Sequence, residues 1–261
     1  MALYDRIGAG YDATRRADPG IVAHLRRLLD PRPGGRYLDL ACGTGSYTLA
    51  LAAHGGAWVG VDISKVMLRR AGARSAAVAW SRASARALPF REGAFDGVLC
   101  TLAVHHFPDL RTAFREVRRV LREGPFVLFV CELGRTRRFW LRTYFPRMFA
   151  RIEAKEPTEV EMRAALHAAG FTHLEVEPWS VPEDLADHFL FCGKRRPELY
   201  FDPAVRAGIS SFANLADPAE VEDGLARLHA DLVSGRFREV AAAHPTPDGD
   251  YLFVRAGARA V

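Results

Sequence analysis

One turn constrains this chain more than any other stretch of it. In Tyr37-Leu-Asp-Leu-Ala-Cys-Gly-Thr-Gly-Ser46, Tyr37 to Leu40 read as a buried strand and Gly43 and Gly45 permit a tight turn. From Ser46 onward a helix is expected, with Leu49, Ala50 and Ala53 on one side. Glycines there let a ligand approach the backbone, and the helix N-terminus offers unpaired N–H groups to an anion. A second strand, Trp58-Val-Gly-Val-Asp62, ends in an acid nineteen residues beyond Gly43. At that spacing a carboxylate can meet ribose hydroxyls in a Rossmann-type unit, which predicts an adenosine-containing cofactor.

A dinucleotide is disfavoured. Its fingerprint places a third glycine where this chain has Thr48, and Asp39 at the end of the first strand would repel a pyrophosphate. A ligand with an ammonium, a sulfonium and a ribose would instead be welcome. The order Asp39-Leu-Ala-Cys-Gly-Thr-Gly45, Val61-Asp62-Ile-Ser-Lys-Val-Met67, Ala87-Leu-Pro-Phe90 and Phe95-Asp-Gly-Val-Leu-Cys100 resembles the class I S-adenosylmethionine-dependent methyltransferases. Within them it is similar to the small-molecule type of ubiquinone and menaquinone biosynthesis. Two departures stand out: Ala41 where the family often has glycine, and Ser84 where it commonly has an adenine-binding acid.

The resemblance implies an α/β fold: a Rossmann-like, doubly wound, seven-stranded, mostly parallel sheet with the last strand antiparallel, plus helical cap insertions. It implies S-adenosylmethionine as cofactor, S-adenosylhomocysteine as product, and cofactor contacts at Tyr11, Arg15, Asp39, Ala41, Gly43, Gly45, Asp62, Ile63, Met67, Ser84, Ala85, Thr101 and Leu102. In relatives a leading Tyr-Asp…Tyr-Asp helix closes over the cofactor. By that likeness Tyr11 lines the pocket, Arg15 pairs with the cofactor's carboxylate and Tyr4 meets the substrate.

Composition narrows the class. With 261 residues, 49% of them apolar, the chain can fill one α/β domain with inserted elements. Met1-Ala-Leu-Tyr-Asp-Arg6 carries charge early, and no apolar run approaches the ~20 residues that span a bilayer. A soluble, cytoplasmic protein is expected, as monomer or homodimer. Four cysteines lie far apart without a Cys-x-x-Cys pair, so neither a metal site nor a disulfide framework is supported. Net charge is +5, but residues 134–151 hold six arginines and no acid. Without them the balance is 30 basic against 31 acidic residues, so no nucleic-acid-binding face spreads over the domain.

Strands are expected at about 37–41, 57–62, 78–82, 95–100, 125–131, 172–178 and 250–255. Asp109 should cap a helix carrying Leu110, Phe114, Val117 and Leu121 until Gly124 stops it. Thr158-Glu-Val-Glu161 reads as a capping box; so does Asp217-Pro-Ala-Glu220, ahead of a stripe at Val221, Leu225, Leu228 and Leu232. One domain is expected, divided into an N-terminal helical lid (1–30), a cofactor-binding half (36–133) and a cap insertion (134–157). A core helix with strand six (158–179), a second cap insertion (180–247) and the last strand with its tail (248–261) follow.

For chemistry, His105 and His106 follow strand four, the position that faces the transferable methyl in relatives. An imidazole titrates near working pH, so His106, or else His105, is the general-base candidate. The run Arg137-Arg-Phe-Trp-Leu-Arg-Thr-Tyr-Phe-Pro-Arg-Met-Phe149 leaves four readings open: a lid for an acidic acceptor, a membrane-surface contact, an RNA grip, or an amphipathic helix with solvated arginines. Trp140 and Tyr144 could stack on an aromatic substrate or cage a cation, and Tyr144 joins the catalytic candidates. Cys100 and Cys131 read as core residues, and the motifs of RNA cytosine and amino-directed methyltransferases are missing. The expected activity is methyl transfer to a small-molecule acceptor, with no nucleic-acid partner. The alternatives are a non-catalytic cofactor-binding regulator and an RNA methyltransferase.

Overall fold

The computed structural model describes residues 11–258. Seven strands form one sheet: β1 (Arg36–Leu40), β2 (Ala57–Asp62), β3 (Ala79–Arg82), β4 (Gly97–Thr101), β5 (Phe126–Val130), β6 (His173–Trp179) and β7 (Tyr251–Gly257). Their order is β3-β2-β1-β4-β5-β7-β6, parallel except for β7, which runs antiparallel to both neighbours. This is the expected Rossmann-like sheet.

The helices in its first half are α1 (Tyr11–Thr14), α2 (Pro19–Leu29), α3 (Ser46–Ala52), α4 (Lys65–Arg74) and α5 (Leu110–Val120). After β5 come α6 (Leu133–Thr136), α7 (Pro146–Glu153) and α8 (Glu159–Ala168). Between β6 and β7 lie α9 (Pro203–Gly208), α10 (Ser210–Asn214), α11 (Pro218–Ser234) and α12 (Phe237–Ala242).

Successive strand residues point to opposite faces, so the sheet has two cores. Leu38, Leu40, Val98, Cys100, Phe126 and Leu128 pack with α5 and α8. Tyr37, Leu99, Val127, Phe129 and Phe253 pack with α2, and also with the aromatic residues of both insertions. Phe139 stacks on Phe191 at 3.9 Å between centroids, joining the segment after β5 to the one after β6. Phe139, Trp140, Leu141, Tyr144, Phe145 and Phe149 are all buried. The insertions are thus continuous with one face of the core.

Three local expectations are corrected. The helix opened by Asp109 ends at Val120, because Leu121 bridges to Phe95. Gly124 serves a different need: a Cβ there would sit 1.7 Å from Asp96 O, so only glycine lets the two backbones pass. Glu220 does not close a capping box. Its carboxylate accepts from Arg147 N (2.6 Å) and Met148 N (3.1 Å), satisfying orphan donors at the start of α7 on another segment. The box at Thr158–Glu161 forms as expected.

Candidate active site

A cavity of about 690 Å³ opens along the carboxyl ends of β1, β2, β4 and β5, where open α/β sheets bind ligands. Its first half is made by the turn after β1. Ala41, Gly43 and Gly45 all have left-handed backbone, with φ of 59°, 56° and 75°. Gly43 N donates to Asp62 Oδ2 at 3.0 Å and Ser64 N to Oδ1 at 2.7 Å, so the acid at the end of β2 is pinned against the turn. Carboxylate oxygens retain further lone pairs, which leaves Asp62 able to accept from a diol. Ala41, Gly43, Asp62, Ile63, Met67, Ser84, Ala85, Thr101 and Leu102 all line the cavity. Leu102 is also left-handed, with φ of 53°.

Asp39 and Gly45 stand behind the lining. Asp39 is buried; its Oδ2 accepts from Thr48 Oγ1 at 2.5 Å while Oδ1 has no hydrogen-bond partner. Burial pushes this carboxyl up to about 7, against the Thr48 bond, and the charge of Asp62 adds to the rise. An orphaned, reluctantly charged carboxyl beneath the turn fits a cationic ligand above it, and does not fit a pyrophosphate. Gly45 is needed for packing: a Cβ would lie 2.4 Å from the Trp80 indole, which fills the space under the turn. These features fit S-adenosylmethionine, which carries a ribose and positive groups and has no phosphate.

The second half is assembled from distant segments. His105 and His106 form a short 3-10 turn after β4, their rings 4.0 Å apart, and both line the cavity. Burial holds His105 well below the usual imidazole range, helped by the neighbouring His106 and Arg15 charges. Burial, with a smaller push from Lys155, lowers His106 to about 4. The expectation that these imidazoles titrate near working pH is therefore corrected: a desolvated ring loses its affinity for the proton.

Arg15 lines the cavity, but its Nε donates to Asp187 Oδ1 at 2.5 Å, and the Tyr47 hydroxyl donates to Asp187 Oδ2 at 3.0 Å. Tyr4 and the side chain of Tyr11 lie outside the described residues. Tyr144 is not at the cavity. It is buried in the aromatic core and its hydroxyl donates to Asp231 at 2.9 Å, which removes it from the catalytic candidates. Nor do the six arginines of 134–151 reach the cavity. Arg137 and Arg142 share Glu153, Arg138 pairs with Asp248, Arg135 with Glu132, Arg147 with Asp217, and Arg151 donates to Leu215 O. Their role is to join segments.

Sequence reasoning missed Tyr47, Lys155, Glu156 and Asp187, all of which line the cavity. Glu156 carried one faint signal: it is the second acid, after Glu153, to follow a long acid-free basic run. Among the described residues no helix is long and apolar enough to cross a membrane.

A family model described as a methyltransferase domain matches residues 38–129, the stretch that runs from β1 through the glycine turn into β5. A solved structure from Anabaena variabilis, described provisionally as a methyltransferase from an antibiotic biosynthesis pathway, is 35% identical with a TM-score of 0.83. The match covers 93% of this chain and 98% of that one. A demethylmenaquinone methyltransferase of Corynebacterium kroppenstedtii is 34% identical over 137 residues, 51% of this chain and 58% of the relative. Another, from Tropheryma whipplei, is 29% identical over 206 residues, 73% of this chain and 81% of the relative. The chain thus spans little more than half the length of the corynebacterial relative, while it matches the Anabaena structure almost end to end.

Proposed function

The chain belongs to the class I S-adenosylmethionine-dependent methyltransferases, and from that membership we propose that it methylates a compact, largely apolar small molecule. The observation that carries this reading is the single cavity of about 690 Å³ shared by both halves of the site. Sites for one drug-sized ligand run from about 300 to 1,000 Å³, so a cavity that must also hold the cofactor leaves room for a small acceptor only. The acceptor end is walled by Phe189, Leu190, Ile209, Leu215 and Tyr251, drawn from the segments around β6 and β7. The relatives named for demethylmenaquinone methylation support a small-molecule acceptor, and the pairing of the 134–151 arginines with acids and carbonyls of the chain, away from the cavity, weakens the feature that had suggested an RNA grip.

When bound, S-adenosylmethionine supplies an activated methyl group on a sulfonium. In this reading Asp62 accepts from the ribose hydroxyls, and Ser84 with the backbone near Ala85 meets the adenine. Asp39 sets a negative potential under the turn. His105 and His106 form the neutral wall beside which the acceptor lies. Displacement at a sulfonium methyl is in-line, so most of the rate comes from holding the acceptor atom aligned and excluding water. The two sub-segments after β5 and β6 would serve as the cap that does so.

The test is S-adenosylhomocysteine formation by the purified protein, supplied with S-adenosylmethionine and either extract metabolites or extract RNA. Turnover with the metabolite fraction is expected. Turnover supported by RNA alone would overturn the small-molecule reading, and product formation from neither, beside tight cofactor binding, would favour a non-catalytic binder.

A further inference from the structure

Resting on that reading, we infer that Lys155 selects the acceptor, and that the acceptor carries one carboxylate on an otherwise apolar body. Among the described residues, the Arg and Lys side chains that line the cavity are Arg15, Arg86 and Lys155. Arg15 is committed to Asp187, and Arg86 stands beside Ser84 and Ala85, in the half proposed for the cofactor. Lys155 belongs to the other half. It is exposed, which places it at the cavity's opening, and it forms no ion pair among the described residues.

The segments around it fix its place. Lys155 follows α7, and its backbone N–H donates to Ile152 O at 2.9 Å, which continues the last turn. α7 is braced against α10. The Phe145 ring meets the Phe212 ring edge-on at 5.1 Å between centroids, and Arg151 donates to Leu215 O at 2.6 Å. This brace sets Lys155 and α10 around one cavity, and α10 adds Ser210, Ser211 and Asn214 to the lining. The Ser210 and Ser211 hydroxyls make no hydrogen bond among the described residues, while Asn214 Nδ2 donates to Ser210 O at 2.8 Å. The wall around these polar groups is Ile152, Phe189, Leu190, Ile209 and Leu215. A largely apolar pocket uses its few polar groups to fix which way the ligand lies.

The charges decide the ligand's sign. Asp62 holds the turn, Asp187 holds Arg15 and Tyr47, and the buried Glu156 carboxyl takes the Thr136 hydroxyl. None of these acids pairs with Lys155. Its charge bears on His106, which lines the same cavity and which burial holds neutral. An ammonium is a compact point charge with three donors, and a cation at the opening of a low-dielectric cleft draws in an anion. One positive charge balances one negative charge, so a carboxylate suits the site. A phosphate monoester would bring a second charge with no partner. With the carboxylate at Lys155, the apolar body would extend inward toward His105 and His106.

The probes are 1-naphthoate and its uncharged counterpart 1-naphthamide, titrated by calorimetry into protein saturated with S-adenosylhomocysteine at neutral pH. An ion pair at an exposed lysine strengthens binding modestly, so naphthoate should bind about fivefold more tightly than the amide. Lys155→Met should bring that ratio to about one, Lys155→Arg should keep it, and Lys155→Glu should turn it in favour of the amide. High salt should shrink the wild-type preference. Equal affinity for the two probes in the wild type, a naphthoate preference that survives in Lys155→Met and Lys155→Glu, or no binding of either probe would overturn the inference. Equal affinity would leave the small-molecule reading standing, because the amide still binds. Calorimetry with S-adenosylhomocysteine alone judges the cofactor reading separately, and if that reading fails, the same two probes still judge Lys155 in the unliganded protein.

Discussion

The two halves of the cavity are built by different means. The half proposed for the cofactor is mostly backbone from one continuous turn plus one acid, with the Gly43 and Ser64 amides holding Asp62. The half proposed for the acceptor is mostly side chains, taken from the ends of β4 and β5, the end of α7, and the segments around α10 and β7. Backbone geometry tolerates little change without losing the turn, whereas a wall of side chains can be altered one residue at a time. That contrast predicts fragility on the cofactor side and tunability on the acceptor side.

The largest effect should come from Gly45→Ala. The methyl group would enter the Trp80 indole at 2.4 Å, at a position with φ of 75°. Left-handed backbone costs roughly 1–2 kcal/mol for a residue with a Cβ, and overpacking adds about 1–3, so urea unfolding should show a loss of several kcal/mol. A loss below about 1 kcal/mol would mean that the indole yields easily and the turn is less constrained than its packing implies.

Asp62→Ala should come next. It removes charge-assisted bonds to the ribose, worth about 1.5–3 kcal/mol, and releases the Gly43 and Ser64 amides that shape the turn. Calorimetry should show S-adenosylmethionine affinity falling by one to two orders of magnitude, with the fold retained. Unchanged affinity would break the assignment of this half to the cofactor.

Arg142→Ala sharpens the other side of the comparison and should do least. Its partner Glu153 keeps Arg137, and partly exposed pairs contribute about 0–1 kcal/mol. Thermal unfolding should shift only slightly, and the Michaelis constant for any acceptor found should not move. A raised Michaelis constant would return the arginine run to the site.

Much of the cofactor half was legible because its parts are close in sequence. Asp39 to Gly45 and Asp62 to Met67 each sit on a strand and the turn that leaves it, so spacing alone brings them together. The acceptor half was not. Tyr144 was misjudged because an aromatic beside arginines looks the same whether it faces a ligand or a core; here it is sealed against Asp231 and α11. The histidines were correctly placed beside the cavity, but their proton affinity depends on desolvation, which no local pattern records.

The sequence by itself determined the strand order's raw material: alternating strands and helices, the glycine turn, the acid nineteen residues on, and the family these imply. Those are local properties, set by backbone sterics and hydrophobic period. Only the tertiary structure decided which charges meet. It turned the arginines of 134–151 toward Glu132, Glu153, Asp217 and Asp248, gave Glu220 to a helix more than seventy residues away, and left one buried oxygen of Glu156 without a hydrogen-bond partner among the described residues. Ion pairing and burial are relations between segments far apart in the chain, and they exist only once the insertions have packed against the sheet.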